Sequence, residues 1–266
     1  MPAPDDLGLI AQAAKDAGGI AKSYFGGHYK TWDKGKGQPV TDADIAVDNY
    51  LRAALLKARP DHGWLSEETR DDHSRLERAR VFVVDPIDGT IAFIKGRPHF
   101  SISIAVVEQG RPVAAVVYNP VLDECFTAAK GKGAFLNAAA IHASGADAIE
   151  NCRMLGDKAM FAHPGWSVAP NTAWPAMHIE SRNSIAYRMT LVADGRFDAA
   201  LALSAKCDWD LAAGDLIARE AGGMCTDYRG AALRYNGPTP IQRTMLCAAP
   251  ALHPLLVEKL KLVKLP

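Results

Sequence analysis

The 266-residue sequence predicts an α/β protein in two halves, an α+β N-terminal half over residues 1–145 and an α/β C-terminal half over 146–266. Three observations carry that class. The chain opens with apolar residues at helical spacing, continues between residues 80 and 129 with apolar runs of strand length, and from about Ile141 alternates strand and helix signals.

Leu7, Ile10, Ala14, Ala17, Ala21 and Tyr24 recur every three or four residues, the period of an amphipathic helix, and Gly26-Gly27 end it. A polar, glycine-bearing loop, HYKTWDKGKGQPV, leads to Thr41, which with Asp44 three residues on makes a capping box. The second helix turns Ile45, Leu51 and Leu55 inward until Pro60 stops it. RVFVVD, SISIAVV, PVAAVVYNP and ECFTAA then read as strands, with EQGRP a hairpin turn between the second and third. This half therefore predicts helices on a largely antiparallel sheet. Beyond GADAIEN, the one segment that reads as a seam, come strands near CRML and MHIE and a helix from Ser184 to Asp194. The strand DAALAL and a helix from Asp210 to Ala221, closed by Gly222-Gly223, complete the pattern.

Composition excludes several functions. Lys+Arg and Asp+Glu are equal at 30 each, so no global field draws the chain to a nucleic acid polymer or an acidic membrane. The five cysteines are scattered without a CxxC pair, which argues against a disulfide framework or a zinc site and for buried thiols in a reducing cytoplasm. No apolar run reaches the ~18 residues of a membrane span, and the first ten residues carry acids where a signal peptide needs base. The eight histidines show no metal or triad spacing, so histidine chemistry has no support.

The informative stretch is VVDPIDGT, residues 83–90, where a continuously apolar strand ends in two acids. The carboxyl end of a buried strand is where α/β proteins place ligands. Pro86 biases Asp85 to an extended conformation, so the chain turns and Asp85 and Asp88 can share one cavity. Like charges held that close repel unless a cation lies between them, and oxygen ligands without His or Cys suit Mg²⁺. An Asx-type turn with Gly89 at its left-handed position explains DPxDG alone equally well. Other acids in matching settings shift the balance: Glu67-Glu68 follow the short strand GWL, and Asp210 begins a helix as either ligand or cap.

SEE (66–68), DPIDGT (85–90) and WDLAAG (209–214), in that order, resemble the three-part signature of the inositol monophosphatase superfamily of Mg²⁺-dependent, lithium-sensitive phosphomonoesterases. PVTDAD, VVYNP, KGKGAF and LVADG extend the likeness over most of the chain. The resemblance implies a layered αβαβα sandwich of the inositol monophosphatase and fructose-1,6-bisphosphatase type, with SEE and DPIDGT in the first half and WDLAAG in the second. It implies that Glu67, Asp85 and the carbonyl of Ile87 hold one Mg²⁺, that Asp85, Asp88 and Asp210 hold a second, and that Glu67 reaches a third. Thr90, bonded to Asp44, would orient the attacking water, and the amides of Gly89 and Thr90 would receive phosphate oxygens. Asp88, Asp210, Asn183 and Ser184 would also contact substrate, the last two at the leaving group, unless they serve only as helix caps. A homodimer and a small phosphorylated substrate complete what the resemblance implies.

Glu68 is set aside as a ligand because neighbouring side chains in an extended segment point to opposite sides. The glutamate with which the family's inositol enzymes hold inositol hydroxyls ahead of the WD pair is missing, with Ala202 and Leu203 in that region. Asp208, directly before Trp209, and the DGTxxFI form of DGTIAFIKG resemble the bisphosphate nucleotidases that act on 3′-phosphoadenosine 5′-phosphate, and DGTxxFI resembles the histidinol-phosphate phosphatases as well. Lys206 could meet a second phosphate or be solvated surface. The expected function is a Mg²⁺-dependent phosphatase acting on an inositol monophosphate-type substrate or on 3′-phosphoadenosine 5′-phosphate. Histidinol-phosphate phosphatase is the alternative. A non-catalytic protein- or RNA-binding role would be marked by loss of a metal acid or of the threonine, and neither is lost.

Overall fold

The computed structural model describes residues 5–35, 37–162 and 173–261. Helix α1 (Asp6–Tyr24) starts at Asp5, whose side chain accepts the Gly8 amide at 2.7 Å. The expected loop that follows is instead a small antiparallel hairpin, β1 (Thr31–Asp33) and β2 (Pro39–Thr41), because Thr31, Val40 and Thr41 supply β-branched positions on either side of the glycines. Thr41 and Asp44 form the expected capping box of α2 (Asp42–Ala58).

Next come β3 (Gly63–Ser66), β4 (Arg80–Asp88), the short α3 (Thr90–Ile94), β5 (Ser101–Glu108), β6 (Arg111–Asn119) and β7 (Glu124–Ala129). Two strands not expected from the sequence, β8 (Ala134–Leu136) and β9 (Ala139–Ile141), finish a seven-stranded sheet in sequential order. Only β3 and β4 pair parallel; the rest is antiparallel.

The second sheet has the order β11-β10-β12-β16-β14. It is built from β10 (Arg153–Leu155), β11 (His178–Glu180), β12 (Ala199–Ala202), β14 (Met224–Thr226) and β16 (Met245–Ala248). The remaining elements are α4 (Lys158–Ala162), α5 (Ile185–Ala193), β13 (Lys206–Cys207) and β15 (Ile241–Gln242), which pair antiparallel as a small separate sheet, α6 (Asp208–Glu220) and finally α7 (Leu252–Leu260). Helix α6 begins two residues before the expected Asp210, so that acid lies inside the first turn rather than at the cap.

Strand periodicity sorts the layers. Phe82 and Val84 of β4 face α1 and α2, whereas Val81 and Val83 face α5 and α6. On the far sheet, Ala200, Ala202, Met245 and Cys247 face α5 and α6, while Ala199, Leu201, Leu246 and Ala248 face α7. The order α1/α2, sheet, α5/α6, sheet, α7 is the αβαβα sandwich. The α5–α6 pair forms the middle layer, and its close packing depends on Gly214, where a Cβ would come within 2.8 Å of Met189 Cβ. All five cysteines are free, four buried and Cys207 half-buried. Among the described residues no helix is long and apolar enough to cross a membrane.

Candidate active site

The site forms where β4 ends and the middle helical layer begins. A register shift between Asp85 and Asp88 marks the turn of the strand away from β5. There Asp85, Asp88 and Asp210 bring carboxylate oxygens within 4.8 Å of one another, although Asp210 comes from the other half of the chain. Asp85 accepts the Ile87 amide at 3.1 Å. Asp210, third in α6, accepts the Cys207 amide at 2.7 Å, so ligand and cap are compatible roles for one side chain. Trp209 packs partly buried against the middle layer, and Ser103 donates to its carbonyl at 3.2 Å.

Asp88 is the most heavily bonded of the three. Its oxygens accept the Ser184 hydroxyl and the Ala186 amide, each at 2.6 Å, and the Ile185 amide at 3.1 Å. These donors lie at the start of α5, where amides have no intrahelical partner. Asp88 thus holds the middle layer onto the end of β4. Ser184 is fully buried and caps α5 through the Tyr187 amide at 3.0 Å, whereas Asn183 is half-exposed beside it.

Thr90 and Asp44 meet as the resemblance implied, with Thr90 Oγ1 3.1 Å from Asp44 Oδ1. The same hydroxyl lies 3.1 Å from the Ile87 carbonyl, so its single proton has two available acceptors. Thr41 saturates the other Asp44 oxygen, its amide at 2.8 Å and its hydroxyl at 2.6 Å. The capping box therefore fixes the acceptor for Thr90.

Glu67 stands at the edge of the cluster, and its carboxylate pairs with Lys34 at 3.0 Å. Glu68 reaches the same ammonium at 2.7 Å. The reason for setting Glu68 aside is thereby corrected: residues 67–69 form a bend after β3, where strand alternation no longer applies, and both side chains converge. Asp48 pins that bend by accepting Ser66 Oγ at 2.5 Å and Thr69 Oγ1 at 2.8 Å. Lys34 and Asp48 had no signal in the sequence, because each acts across elements. Asp208 points away from the cluster and accepts the Asn236 amide at 2.7 Å and Gln242 Nε2 at 2.8 Å.

Burial, reinforced by Glu67, Asp88 and Asp210, pushes the Asp85 carboxyl well up. Burial also raises Asp88, against its bonds from Ser184, Ala186 and Ile185, and it raises Asp210 to about 8, with Asp88 adding to the effect. Burial takes Glu68 to about 7 despite Lys34. A cluster of anions that resists ionising is a site that fits a divalent cation.

The sign of the stability change follows. These acids hold protons in the folded chain at pH values where the unfolded chain, with carboxyls near 4, has lost them. Folding therefore loses stability as pH rises from about 4 towards 8 for Asp210. The metal-free protein is expected to melt higher at pH 5 than at pH 8, and thermal melts in chelator across that range check it. A flat profile would contradict the cluster's electrostatics.

The profile of the inositol monophosphatase family matches residues 7–264. The chain is 35% identical over 233 residues to the inositol-1-monophosphatase of Rhizobium meliloti, covering 84% of this chain and 86% of that protein. It is 34% identical over 236 residues to the Nus factor SuhB of Pasteurella multocida, covering 84% and 85%. The solved structure of the Thermotoga maritima IMPase superposes with a TM-score of 0.83 at 28% identity, covering 97% of each chain. With a profile match running through every layer of the sandwich and a third of positions shared with such relatives, the chain belongs to the inositol monophosphatase family.

Proposed function

We propose that the chain is a Mg²⁺-dependent phosphatase that hydrolyses a small phosphate monoester, either of the inositol monophosphate type or 3′-phosphoadenosine 5′-phosphate. The observation that carries this reading is the convergence of Asp85, Asp88 and Asp210 within 4.8 Å beside the Thr90–Asp44 pair. Asp85, Asp88 and Asp210, with Glu67 and the Ile87 carbonyl, would hold two or three Mg²⁺. When bound, the ions supply the positive charge that makes water nucleophilic near neutral pH and offsets charge on the phosphoryl group.

The chain's own residues orient the reaction. Asp44 Oδ1 accepts the Thr90 proton, which leaves the Thr90 oxygen lone pairs to accept from a water and aim it. The amides of Gly89 and Thr90, first in α3 and without intrahelical partners, receive phosphate oxygens. Attack of the water oxygen on phosphorus breaks the ester P–O bond; the water's hydroxyl stays on phosphorus and its second proton passes to the leaving oxygen. On this reading Asn183, half-exposed ahead of α5, meets that leaving group. The proposal includes a cytoplasmic homodimer, on the family resemblance and the free thiols.

Phosphate release from inositol 1-phosphate, 3′-phosphoadenosine 5′-phosphate and histidinol phosphate, with Mg²⁺ and with added lithium, tests the reading. Release from one of the first two, inhibited by lithium, is expected; release from histidinol phosphate alone would move the assignment to the alternative. Thr90→Val removes the hydroxyl while keeping the shape, and turnover is expected to fall ~10²-fold with KM little changed. Steady-state kinetics of that variant decide whether Thr90 acts in the chemical step.

A further inference from the structure

Arg75 carries the largest side chain that the fold buries completely, and nothing in RDDHSRLERAR marks it out from the charged residues around it. A charge taken out of water is costly unless it is paired and its hydrogens find acceptors. Asp71 supplies the counter-charge, 3.1 Å from Nε and 2.8 Å from Nη2. The other donors cross to the C-terminal half, where Nη1 donates to Asn236 Oδ1 at 2.5 Å and Nη2 to the Gly237 carbonyl at 3.1 Å. The guanidinium fork thus clamps the loop ahead of β15 onto the segment between β3 and β4.

That loop in turn holds the start of α6. Asp208, the first residue of the helix and fully buried, accepts the Asn236 amide at 2.7 Å on Oδ2 and Gln242 Nε2 at 2.8 Å on Oδ1. Its own amide donates to the Pro240 carbonyl at 3.0 Å. Asn236 is the shared point, with its side chain on Arg75 and its backbone on Asp208, and its φ of 60° is a left-handed conformation in which asparagine is enriched. Two residues beyond Asp208, Asp210 meets Asp85 and Asp88 with carboxylate oxygens within 4.8 Å. Like charges at that spacing repel, and of the three acids Asp210 alone comes from outside β4, so the start of α6 is the part that repulsion would displace. The sheet meets it directly where Ser103 donates to the Trp209 carbonyl; the path through Arg75, Asn236 and Asp208 is a second tie.

We propose that Arg75 is a positioning residue of the active site: through Asn236 it sets Asp208 and so fixes Asp210 against Asp85 and Asp88 at the spacing a divalent cation needs. Arg75 acts through these partners, not by contact with metal or substrate. The effect on cation binding rests on the metal-site reading above; the effect on α6 rests on the hydrogen bonds alone.

The test compares Arg75→Met, Asn236→Gly and Asn236→Asp with Leu256→Ala, which opens a cavity in the separate core beneath α7. Asn236→Gly suits the left-handed φ and keeps the backbone amide while removing Oδ1, and Asn236→Asp keeps an acceptor for Nη1. With the full chain in inorganic phosphate, Mn²⁺ titrated calorimetrically should bind ~10-fold more weakly to Arg75→Met, with an intermediate loss in Asn236→Gly and wild-type affinity in Asn236→Asp and Leu256→Ala. In chelator, amide hydrogen exchange over residues 206–212 should quicken ~10-fold or more in Arg75→Met, beyond any change elsewhere in the chain, and should not stand out in Leu256→Ala. Wild-type Mn²⁺ affinity in Arg75→Met, or an equal loss in Leu256→Ala, would overturn the positioning role. Should Arg75→Met fail to fold, Asn236→Gly, at a half-exposed position, decides: unchanged affinity and exchange there overturn it as well. A wild-type chain that binds no Mn²⁺, with exchange over 206–212 still quickened by the substitutions, would instead overturn the metal-site reading and leave the tie from Arg75 to α6 standing.

Discussion

Asp210→Asn is expected to lower turnover by ~10³-fold or more and, at the same time, to stabilise the metal-free protein. The two effects have opposite signs for one reason. Asp210 contributes a third carboxylate to a buried group whose oxygens lie within 4.8 Å, which a bound cation requires and an empty site must endure. The amide of asparagine can still accept the Cys207 N–H now held at 2.7 Å, so the start of α6 keeps its cap while the charge disappears. Relief of that repulsion should raise the melting temperature in chelator, at about 2–4 °C per kcal/mol for a chain of this size, and reduce its fall at high pH, which Asp85, Asp88 and Glu68 continue to drive. Melts in chelator and in Mg²⁺, beside phosphate-release assays, separate the outcomes. Retention of near-normal turnover, or a loss of stability in chelator, would remove Asp210 from the metal site.

Asp88 does not offer the same clean experiment. In the sequence the two acids are equivalent candidates for replacement with folding intact. In the structure three donors from the start of α5 converge on Asp88, and an asparagine amide would turn its own hydrogens towards some of them. Asp88→Asn should therefore lose activity and weaken the docking of the middle layer together.

Gly89→Ala is expected to be the most damaging single change to the fold around the site. Gly89 has φ 98°, and a Cβ there would lie 3.0 Å from both the His99 carbonyl oxygen and the Ser184 amide nitrogen, with Ser184 Cα at 3.3 Å. None of these backbone atoms can yield without moving β4's exit or the start of α5. The left-handed conformation costs an alanine ~1–2 kcal/mol, and the forced contact adds ~1–3 kcal/mol. The methyl group would also press Ser184 away from Asp88, so turnover should fall with stability. Gly96→Ala is the control, since φ is 63° there and nothing lies within 4 Å of the added carbon. Urea denaturation of both variants isolates the contact: equal losses would mean that backbone conformation alone accounts for Gly89 and that the approach of α5 is unimportant.

Much of the architecture was legible in local pattern. The helix of Leu7 to Tyr24, the Thr41–Asp44 capping box, the four long strands and the helices after Ser184 and near Asp210 all appear where their periods place them. The hairpin β1–β2 and the strands β8 and β9 escaped because each spans three residues, too few for alternation to show against glycine-rich surroundings. The strands β14 and β16 and helix α7 also went unread; β16 has meaning mainly as the partner of β12, β14 as the partner of β16, and α7 as the cover of that sheet's outer face.

By itself, the sequence determined which residues end strands, which begin helices and which carboxylates stand at those ends, since turns, caps and apolar periods are set by neighbours a few positions apart. The family signature added the grouping of Glu67, Asp85, Asp88, Thr90 and Asp210. Only the tertiary structure decided that Asp88 is also the anchor of α5 and that Lys34 draws Glu67 and Glu68 to one ammonium. Those relations depend on how the layers stack, and burial then sets their energetics by removing the water that would otherwise screen each charge.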